Sequence, residues 1–393
     1  MSKKIISKED VLQYLIILVS GFYFFLCFLH YASGRPLWLD ENFIYTSLKT
    51  LSPLQLFGPL GSQAFPRVYL IAVKLVSQVS NYDVFSLRFF SLIAMIGAFF
   101  LWTYIYRKEE NKGMGYFLFV LTWCGSKFMS YYAAELKQYS GEVLVAGVFA
   151  LFILRQRDYL GDSKRPAPGA WLYFLMPFLV LLSYTAYFFL LIPLYNLFVQ
   201  RTKEKNNLPY ITAYSAGMAI AVSLSYLLDA RFVQTTSGMW GYWHDYFVLT
   251  NSAGDFFSSS YEGLRNIFSR WILETKLLRH IMTCFMPFAL YVVLVDGIKG
   301  MRKNKGAFFS LSSITFIILC EMYVAGILKL YPFTGARITL FVAPFIFYCI
   351  IKGIELFKTR FQYVYLALLA SYIVILLSTS VYILREYYML YKV

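Results

Sequence analysis

Residues 11–31, VLQYLIILVSGFYFFLCFLHY, contain no Asp, Glu, Lys or Arg. An α-helix rises about 1.5 Å per residue, so about 20 apolar residues cross the roughly 30 Å of hydrocarbon in a bilayer. Apolar runs of this kind recur along the chain, which predicts an all-α, polytopic membrane protein. The residues before Val11 include the basic flank of a signal peptide, but the apolar run is too long and lacks a cleavage site. We therefore expect an uncleaved first span.

The composition supports a membrane protein and excludes several other classes. The chain is 59% hydrophobic and 15% charged, whereas soluble domains are about half apolar and about a quarter charged. The net charge of +15 could indicate a nucleic-acid partner, but the basic residues form short clusters at the ends of apolar segments, so we expect none. The cysteines and histidines show neither paired nor metal-ligand spacing, which argues against a disulfide framework or a zinc site.

The apolar runs predict about eleven transmembrane segments. They are residues 11–31, 86–106, 115–132, 140–156, two short helices within 171–200 that turn near Ser183, 210–228, 281–298, 307–327, 338–356 and 362–384. Short basic clusters separate them, near residues 3–8, 107–112, 155–165, 201–205, 299–305 and 352–360. The positive-inside rule places these clusters in the cytoplasm. The N-terminus would then lie inside and the C-terminus outside.

This topology leaves three polar segments outside, residues 32–85, 229–280 and 328–337. Within the first, residues 64–79 are amphipathic and too short to span, which predicts a helix in the interface plane. We find no internal repeat or linker, so we expect one membrane domain over residues 1–393. Long external segments rich in Trp, Tyr and charge pairs favour an enzyme at the outer interface over a transporter.

The first external segment opens with Pro36-Leu37-Trp38-Leu39-Asp40-Glu41-Asn42-Phe43. Two adjacent carboxylates after a membrane span have two compatible interpretations. Asp40 could begin a helix as its N-cap, with Glu41 in the favourable first turn. The pair could also serve catalysis.

The segment from Pro36 to Phe43 begins the first of three motifs, which continues with QAFPRVYL at 63–70 and DVFSLRFFS at 83–91. The second motif is YYAAELKQYS at 131–140, and the third is YPFTGAR at 331–337. Together they resemble the external motifs of GT-C glycosyltransferases of the dolichyl-phosphate-mannose protein mannosyltransferase-like family. Phe65 and Lys137 depart from the family pattern, which leaves the sugar open.

The resemblance implies a GT-C-like bundle that transfers a sugar from a polyprenyl-phosphate donor to an acceptor hydroxyl on a lipid, glycan or protein, with inversion. We expect the site to face outside, in a bacterial plasma membrane. Such a transfer needs a base for the acceptor and cations for the departing phosphate. Asp40 is the candidate base, Glu41 its helper, and Glu135 a second carboxylate.

The candidate phosphate clamp is Arg67, Lys137 and Arg337, of which Arg337 offers a planar bidentate fork. Snorkelling to the interface explains Lys137 and Arg337 as well, and a salt bridge or lipid headgroup contact explains Arg67. Tyr139 and Tyr331 are candidate substrate contacts. No cofactor is certain, and a divalent metal could bind the three candidate carboxylates, although no spacing demands it.

Other polar residues have more than one interpretation. We expect Arg88 to anchor the second span. Glu321, inside an apolar segment, should face the bundle interior, with a buried partner or as part of the donor cavity. The aromatic cluster Trp240 to Tyr246 could stack on sugars or form an interfacial belt.

Two other functions remain open. A polymerase or ligase of lipid-linked glycans would also have many spans, but its large external loop usually comes late in the chain. A secondary transporter or flippase predicts inverted repeats and midplane charges. The acidic pair in the first loop and the absence of a repeat favour the glycosyltransferase.

Overall fold

All regular secondary structure in the part of the chain that the structure describes is helical. This computed structural model describes residues 8–60, 64–110, 113–161, 169–200, 207–233, 241–272 and 275–392. No β-strand occurs in these ranges. Several of the helices are long and apolar, and the chain is a multi-pass membrane protein.

The α-helices, in chain order, are as follows. The first half contains α1 (Lys8–Ala32), α2 (Leu39–Thr50), α3 (Arg67–Val79), α4 (Val84–Glu110), α5 (Met114–Cys124), α6 (Lys127–Tyr131), α7 (Tyr139–Gly161), α8 (Ala170–Leu175) and α9 (Leu191–Val199). The second half contains α10 (Leu208–Ser225), α11 (Arg231–Val233), α12 (Ala253–Ser269), α13 (Lys276–Thr283), α14 (Met286–Tyr291), α15 (Gly297–Lys303), α16 (Leu311–Ile327), α17 (Ala343–Glu355) and α18 (Gln362–Lys392).

Six helical stretches are long and apolar enough to cross a membrane. They are Glu9–Ala32, Val84–Glu110, Leu208–Ala230, Leu277–Lys303, Arg337–Glu355 and Gln362–Lys392. Lys127–Ala134 and Tyr139–Leu160 would make a seventh as a pair, but they bend by 116°. Four shorter apolar helices are Met114–Cys124, Ala170–Leu181, Tyr184–Val199 and Leu311–Ile327. Every predicted segment thus contains apolar helix, whereas the count of eleven crossings stays a prediction.

The predicted span 115–132 is wrong as a continuous helix, because α5 ends at Cys124 and α6 begins at Lys127. A side-chain hydroxyl and a backbone N–H at this break find partners in the segment that follows α12. Ser126 donates its hydroxyl to the Trp271 carbonyl, and the Lys127 N–H donates to the Ile272 carbonyl at 3.0 Å. A broken helix at membrane depth is tolerated where such partners cover the backbone.

The predicted division of residues 171–200 agrees with the structure. A 3₁₀ helix ends at Leu181 and the next begins at Tyr184. Ser183 between them is extended, with φ −156° and ψ 124°, so the helix is interrupted there.

The amphipathic segment of the first loop forms α3, which begins three residues later than predicted. Pro66 precedes it, and a proline fits just before a helix because it has no N–H to donate. Leu70 and Val73 pack inward against α2 and Leu136, while Val79 is exposed. The helix is confirmed, and its position in the interface plane stays a prediction.

Basic residues predicted to be cytoplasmic lie together at one end of the bundle. Three ion pairs join α4 to α7 and α17 there: Lys108 with Asp158 at 2.6 Å, Arg157 with Glu109 at 2.7 Å, and Lys352 with Glu110 at 2.5 Å. Others of these basic residues, at 3–4, 112, 164–165 and 201–205, fall outside the described residues. The ends of α1 and α18 and the beginnings of α4 and α7 lie at the opposite end.

Candidate functional site

Helix α2 begins at Leu39, so the interpretation of Asp40 as the N-cap is wrong. Trp38 takes the cap position, and the Glu41 carboxylate accepts a hydrogen bond from the Trp38 N–H at 3.2 Å. A glutamate at the third helical position commonly reaches back to the cap in this way. Asp40 therefore does not cap the helix, and its carboxylate is available to another partner.

Glu41 is fully buried and links three parts of the chain. Its carboxylate accepts hydrogen bonds from Arg88 at 2.8 and 3.0 Å, from Arg35 at 3.1 Å and from the Leu136 N–H at 2.7 Å. Burial alone would raise the pKa of Glu41, but these donors outweigh it and hold the pKa below its usual range. Arg88 thus anchors α4 to the first loop through Glu41, whose two oxygens are already engaged by protein donors.

Asp40 meets Arg337 at the same end of the bundle. An Arg337 guanidinium nitrogen lies 2.6 Å from an Asp40 carboxylate oxygen, and each side chain is 19% exposed. The guanidinium also lies 4.9 Å from the centre of the Trp38 ring, a cation–π contact. The first and third motifs therefore come together in space.

A cavity of about 380 Å³ opens beside this ion pair. Its lining consists of Trp38, Lys127, Phe128, Tyr131, Tyr132, Glu135, Arg337 and Glu386. All three motifs contribute to this wall, together with the beginning of α6 and the last turns of α18. We refer to this space as the motif cavity.

Two charged residues of the motif cavity were missed by sequence reasoning. The ammonium group of Lys127 lies 2.8 Å from a Glu386 carboxylate oxygen. Lys127 stands inside a run that was assigned to one continuous span, and Glu386 follows the predicted end of the last one. A lysine within an apolar run is itself a signal of a break or a functional site.

Glu135 and Lys137 lie in the turn between the spanning helices. Glu135 is fully buried, and neither of its carboxylate oxygens has a hydrogen-bond partner among the described residues. Burial and the nearby charge of Glu41 raise the pKa of Glu135 to about 7. Burial lowers the pKa of Lys137 to about 8, although the charges of Asp40 and Glu135 oppose that change. The second motif thus places Lys137 near Asp40 and Glu135 in the lining of the motif cavity.

The structure does not bring Arg67 to the motif cavity. Its Nε lies 3.7 Å from an Asp229 carboxylate oxygen, and its backbone N–H donates to the other oxygen at 3.3 Å. The Tyr184 hydroxyl donates to the same carboxylate at 2.6 Å. Arg67 therefore connects the beginning of α3 to the π-helical segment Tyr226–Ala230 that follows α10, which agrees with its interpretation as a salt bridge.

The two candidate tyrosines lie behind the cavity wall. The Tyr139 ring packs edge-on against the lining residue Tyr132, with ring centres 5.2 Å apart. The Tyr331 hydroxyl donates to the Ile338 carbonyl just after Arg337. Both are placed to support lining residues.

Two glycines set the position of the segment before Arg337. A Cβ on Gly335 would lie 2.1 Å from the Asn266 carbonyl oxygen, and one on Gly263 would lie 2.4 Å from the Phe333 carbonyl oxygen. Only glycine permits this close approach of the segment to α12. The Phe333 N–H also donates to the Tyr246 carbonyl at 2.9 Å, which ties the aromatic cluster to the site. Trp240 of that cluster lies outside the described residues.

The possible metal site formed by Asp40, Glu41 and Glu135 is not assembled. Guanidinium groups engage Asp40 and Glu41, and no group of three His, Cys, Asp or Glu side chains in the described ranges could hold a metal ion. Glu321 is half-buried in α16, but it has no hydrogen-bond or ion-pair partner in the described part of the chain. The buried partner expected for Glu321 is therefore not found in this part of the chain.

Comparison with known proteins identifies no relative. No family model, no curated protein and no solved structure matches this chain. The geometry of the motif cavity and the motifs that line it are therefore the basis for inferring a function.

Proposed function

We propose that this protein is a glycosyltransferase that moves a sugar from a polyprenyl-phosphate donor to an acceptor hydroxyl. The observation that carries the proposal is the ion pair between Asp40 and Arg337 on the edge of the motif cavity. It joins a carboxylate suited to accept a proton and a guanidinium suited to bind a phosphate, both from motifs that resemble one enzyme family.

The contacts of Arg337 support an exchange of anions. A guanidinium binds carboxylate and phosphate groups with the same planar fork. The donor phosphate would therefore take the place of Asp40 on Arg337, with Lys137 as a second cation. Asp40, once released, could accept the proton of the acceptor hydroxyl.

The transfer reaction needs no strong acid. The acceptor oxygen forms a bond to the anomeric carbon from the side opposite the phosphate, which inverts that centre. The bond between the anomeric carbon and the phosphate oxygen breaks, and its electron pair stays on the carrier phosphate. The acceptor proton passes to Asp40, while Arg337 stabilises the charge that develops on the phosphate.

The motif cavity has the size and the surface that a sugar requires. Its volume of about 380 Å³ falls within the about 300–1,000 Å³ of typical ligand pockets. The rings of Trp38, Tyr131 and Tyr132 offer apolar faces and polar edges of the kind that stack on sugars. Glu135 would contact the donor or the acceptor.

The charge distribution supports the proposed sidedness. The basic residues on α4, α7 and α17 lie at the end opposite the motif cavity, and basic ends face the cytoplasm. The proposal therefore places the site at the outer face of a plasma membrane, of bacterial type, within a GT-C-like bundle of about eleven segments.

Purified protein in proteoliposomes tests the reaction class. We would supply polyprenyl phosphates that carry labelled mannose, glucose, galactose, N-acetylglucosamine or arabinose, with a membrane extract as the source of acceptors. Mass spectrometry should detect released polyprenyl phosphate and a labelled product for one donor. Movement of an intact donor across the bilayer without cleavage would contradict the proposal and indicate a flippase.

The protonation state of Glu135 should control donor binding. Below its pKa of about 7 the carboxyl group is neutral and tolerates a phosphate nearby, whereas above it the negative charge opposes the phosphate. Donor affinity should therefore fall by up to about tenfold per pH unit above that pKa. Lys137, with a pKa of about 8, adds to the loss only at higher pH.

The measurement is the affinity of the protein for the identified donor below and above neutral pH. Because the donor is a phosphodiester, its own charge stays constant over this range. Glu135→Gln is neutral at every pH, so its affinity should stay flat where the wild type declines. Parallel declines in both proteins would exclude Glu135 as the titrating group.

A further inference from the structure

A second cationic cavity lies between α12 and α13, and its described lining residues belong to none of the three motifs. It measures about 280 Å³ and is lined by Arg265, Arg279, His280 and Thr283. These side chains offer several hydrogen-bond donors to one small space, and none of the described lining residues carries a carboxylate. Such a set fits an anion.

The cationic charge of this cavity is only partly compensated. Arg265 pairs with Glu262 at 2.7 Å, but that carboxylate is 46% exposed. The Nε of Arg279 is buried and has no hydrogen-bond partner within the described ranges. A buried guanidinium donor without a partner costs free energy that a bound anion would recover.

Helix α12 separates this cavity from Arg337. The segment before Arg337 packs against α12 at Gly263 and Asn266. Because successive helical residues rotate by about 100°, Arg265 points away from the face that carries Gly263. The two cationic sites are therefore distinct.

Exposed apolar side chains lead up to the cavity. Phe257 and Tyr261 precede Arg265 by two turns and one turn on the same face of α12, and they are 70% and 52% exposed. Leu277, at the start of the span Leu277–Lys303, is 70% exposed. An anion at Arg265 and Arg279 would thus have an apolar surface beside it.

We infer that this cavity binds a lipid-borne phosphate, with the headgroup held by Arg265, Arg279 and His280 and the chains along Phe257 and Tyr261. The volume is below the about 300–1,000 Å³ of typical ligand pockets, so it suits a phosphate group rather than a whole lipid. A bilayer phospholipid and a polyprenyl phosphate share this chemistry. The inference does not depend on the proposed sugar transfer.

Native mass spectrometry of the full-length protein in detergent would test it. The probes are phosphatidylglycerol, undecaprenyl phosphate and inorganic phosphate, titrated separately. The variant Arg265→Gln/Arg279→Gln should bind its lipid at least about tenfold more weakly than the wild type. The matched control Arg302→Gln/Arg360→Gln replaces two exposed arginines far from the cavity and should bind normally.

Tighter binding of either lipid than of inorganic phosphate supports the inference, and the lipid that binds more tightly identifies the source of the phosphate. Equal lipid binding by the wild type and the double variant would overturn it, as would equal affinity for inorganic phosphate and lipid. If the double variant fails to fold, Arg279→Lys keeps the charge and removes the fork. Its affinity should still fall several-fold, and unchanged affinity would overturn the inference.

Discussion

Replacing Asp40 by Asn should reduce kcat for sugar transfer by about 10²–10⁴-fold, the usual contribution of a general base. The amide keeps the size of the side chain but cannot accept the acceptor proton. Because Asp40 is 19% exposed at the cavity edge, the protein should fold normally. The measurement is turnover of the polyprenyl-phosphate donor in proteoliposomes.

A second measurement on the same variant separates catalysis from packing. In the proposed mechanism Asp40 competes with the donor phosphate for Arg337, so the Asp40→Asn protein should bind polyprenyl phosphate more tightly while it fails to turn the donor over. The control is Asp255→Asn, which changes an exposed aspartate in the first turn of α12. Normal turnover would remove Asp40 from the role of base, and weaker binding would contradict the proposed exchange on Arg337.

Replacing Glu41 by Ala should destabilise the fold by about 3–5 kcal/mol, the usual effect of removing one partner from a buried ion pair. Arg88 would remain fully buried without its carboxylate, and Arg35 would lose the same partner. The Leu136 N–H would lose its acceptor as well. Substitutions of the neighbouring carboxylates should thus have different effects. Replacing Asp40 should reduce turnover, and replacing Glu41 should destabilise the fold.

The fraction of monodisperse protein that survives heating in detergent would check this expectation. Glu262→Ala is a matched control, because Glu262 also pairs with an arginine at 2.7 Å but is 46% exposed. That change should cost less than about 1 kcal/mol. If the two variants had equal thermal stability, the structural role of Glu41 would be wrong.

Length and apolarity made the spanning helices predictable. The run from Val11 to Tyr31 and the interruption near Ser183 follow from local composition and appear in the structure. The break before Lys127 could not be predicted, because the groups that satisfy it, the carbonyls of Trp271 and Ile272, are remote in sequence.

The motifs predicted part of the lining of the motif cavity, but the partner of each charged side chain could not be predicted. Adjacent carboxylates look equivalent in sequence, yet the first turn of α2 points Glu41 at Arg88 and Asp40 at Arg337. The sequence suggests Arg67 as part of the phosphate clamp, but the structure pairs it with Asp229. Such pairings join residues that are far apart in the sequence, so a local sequence motif does not predict them.

The most direct test of the central claim is a comparison of glycans from cells with and without the gene. Mass spectrometry of lipid-linked and surface glycans should show one sugar missing in the deletion, with its polyprenyl-phosphate donor accumulated. Wild-type protein should restore that sugar, and Asp40→Asn, expressed at the same level, should not. Identical glycans in the two cells, or full restoration by Asp40→Asn, would contradict the account.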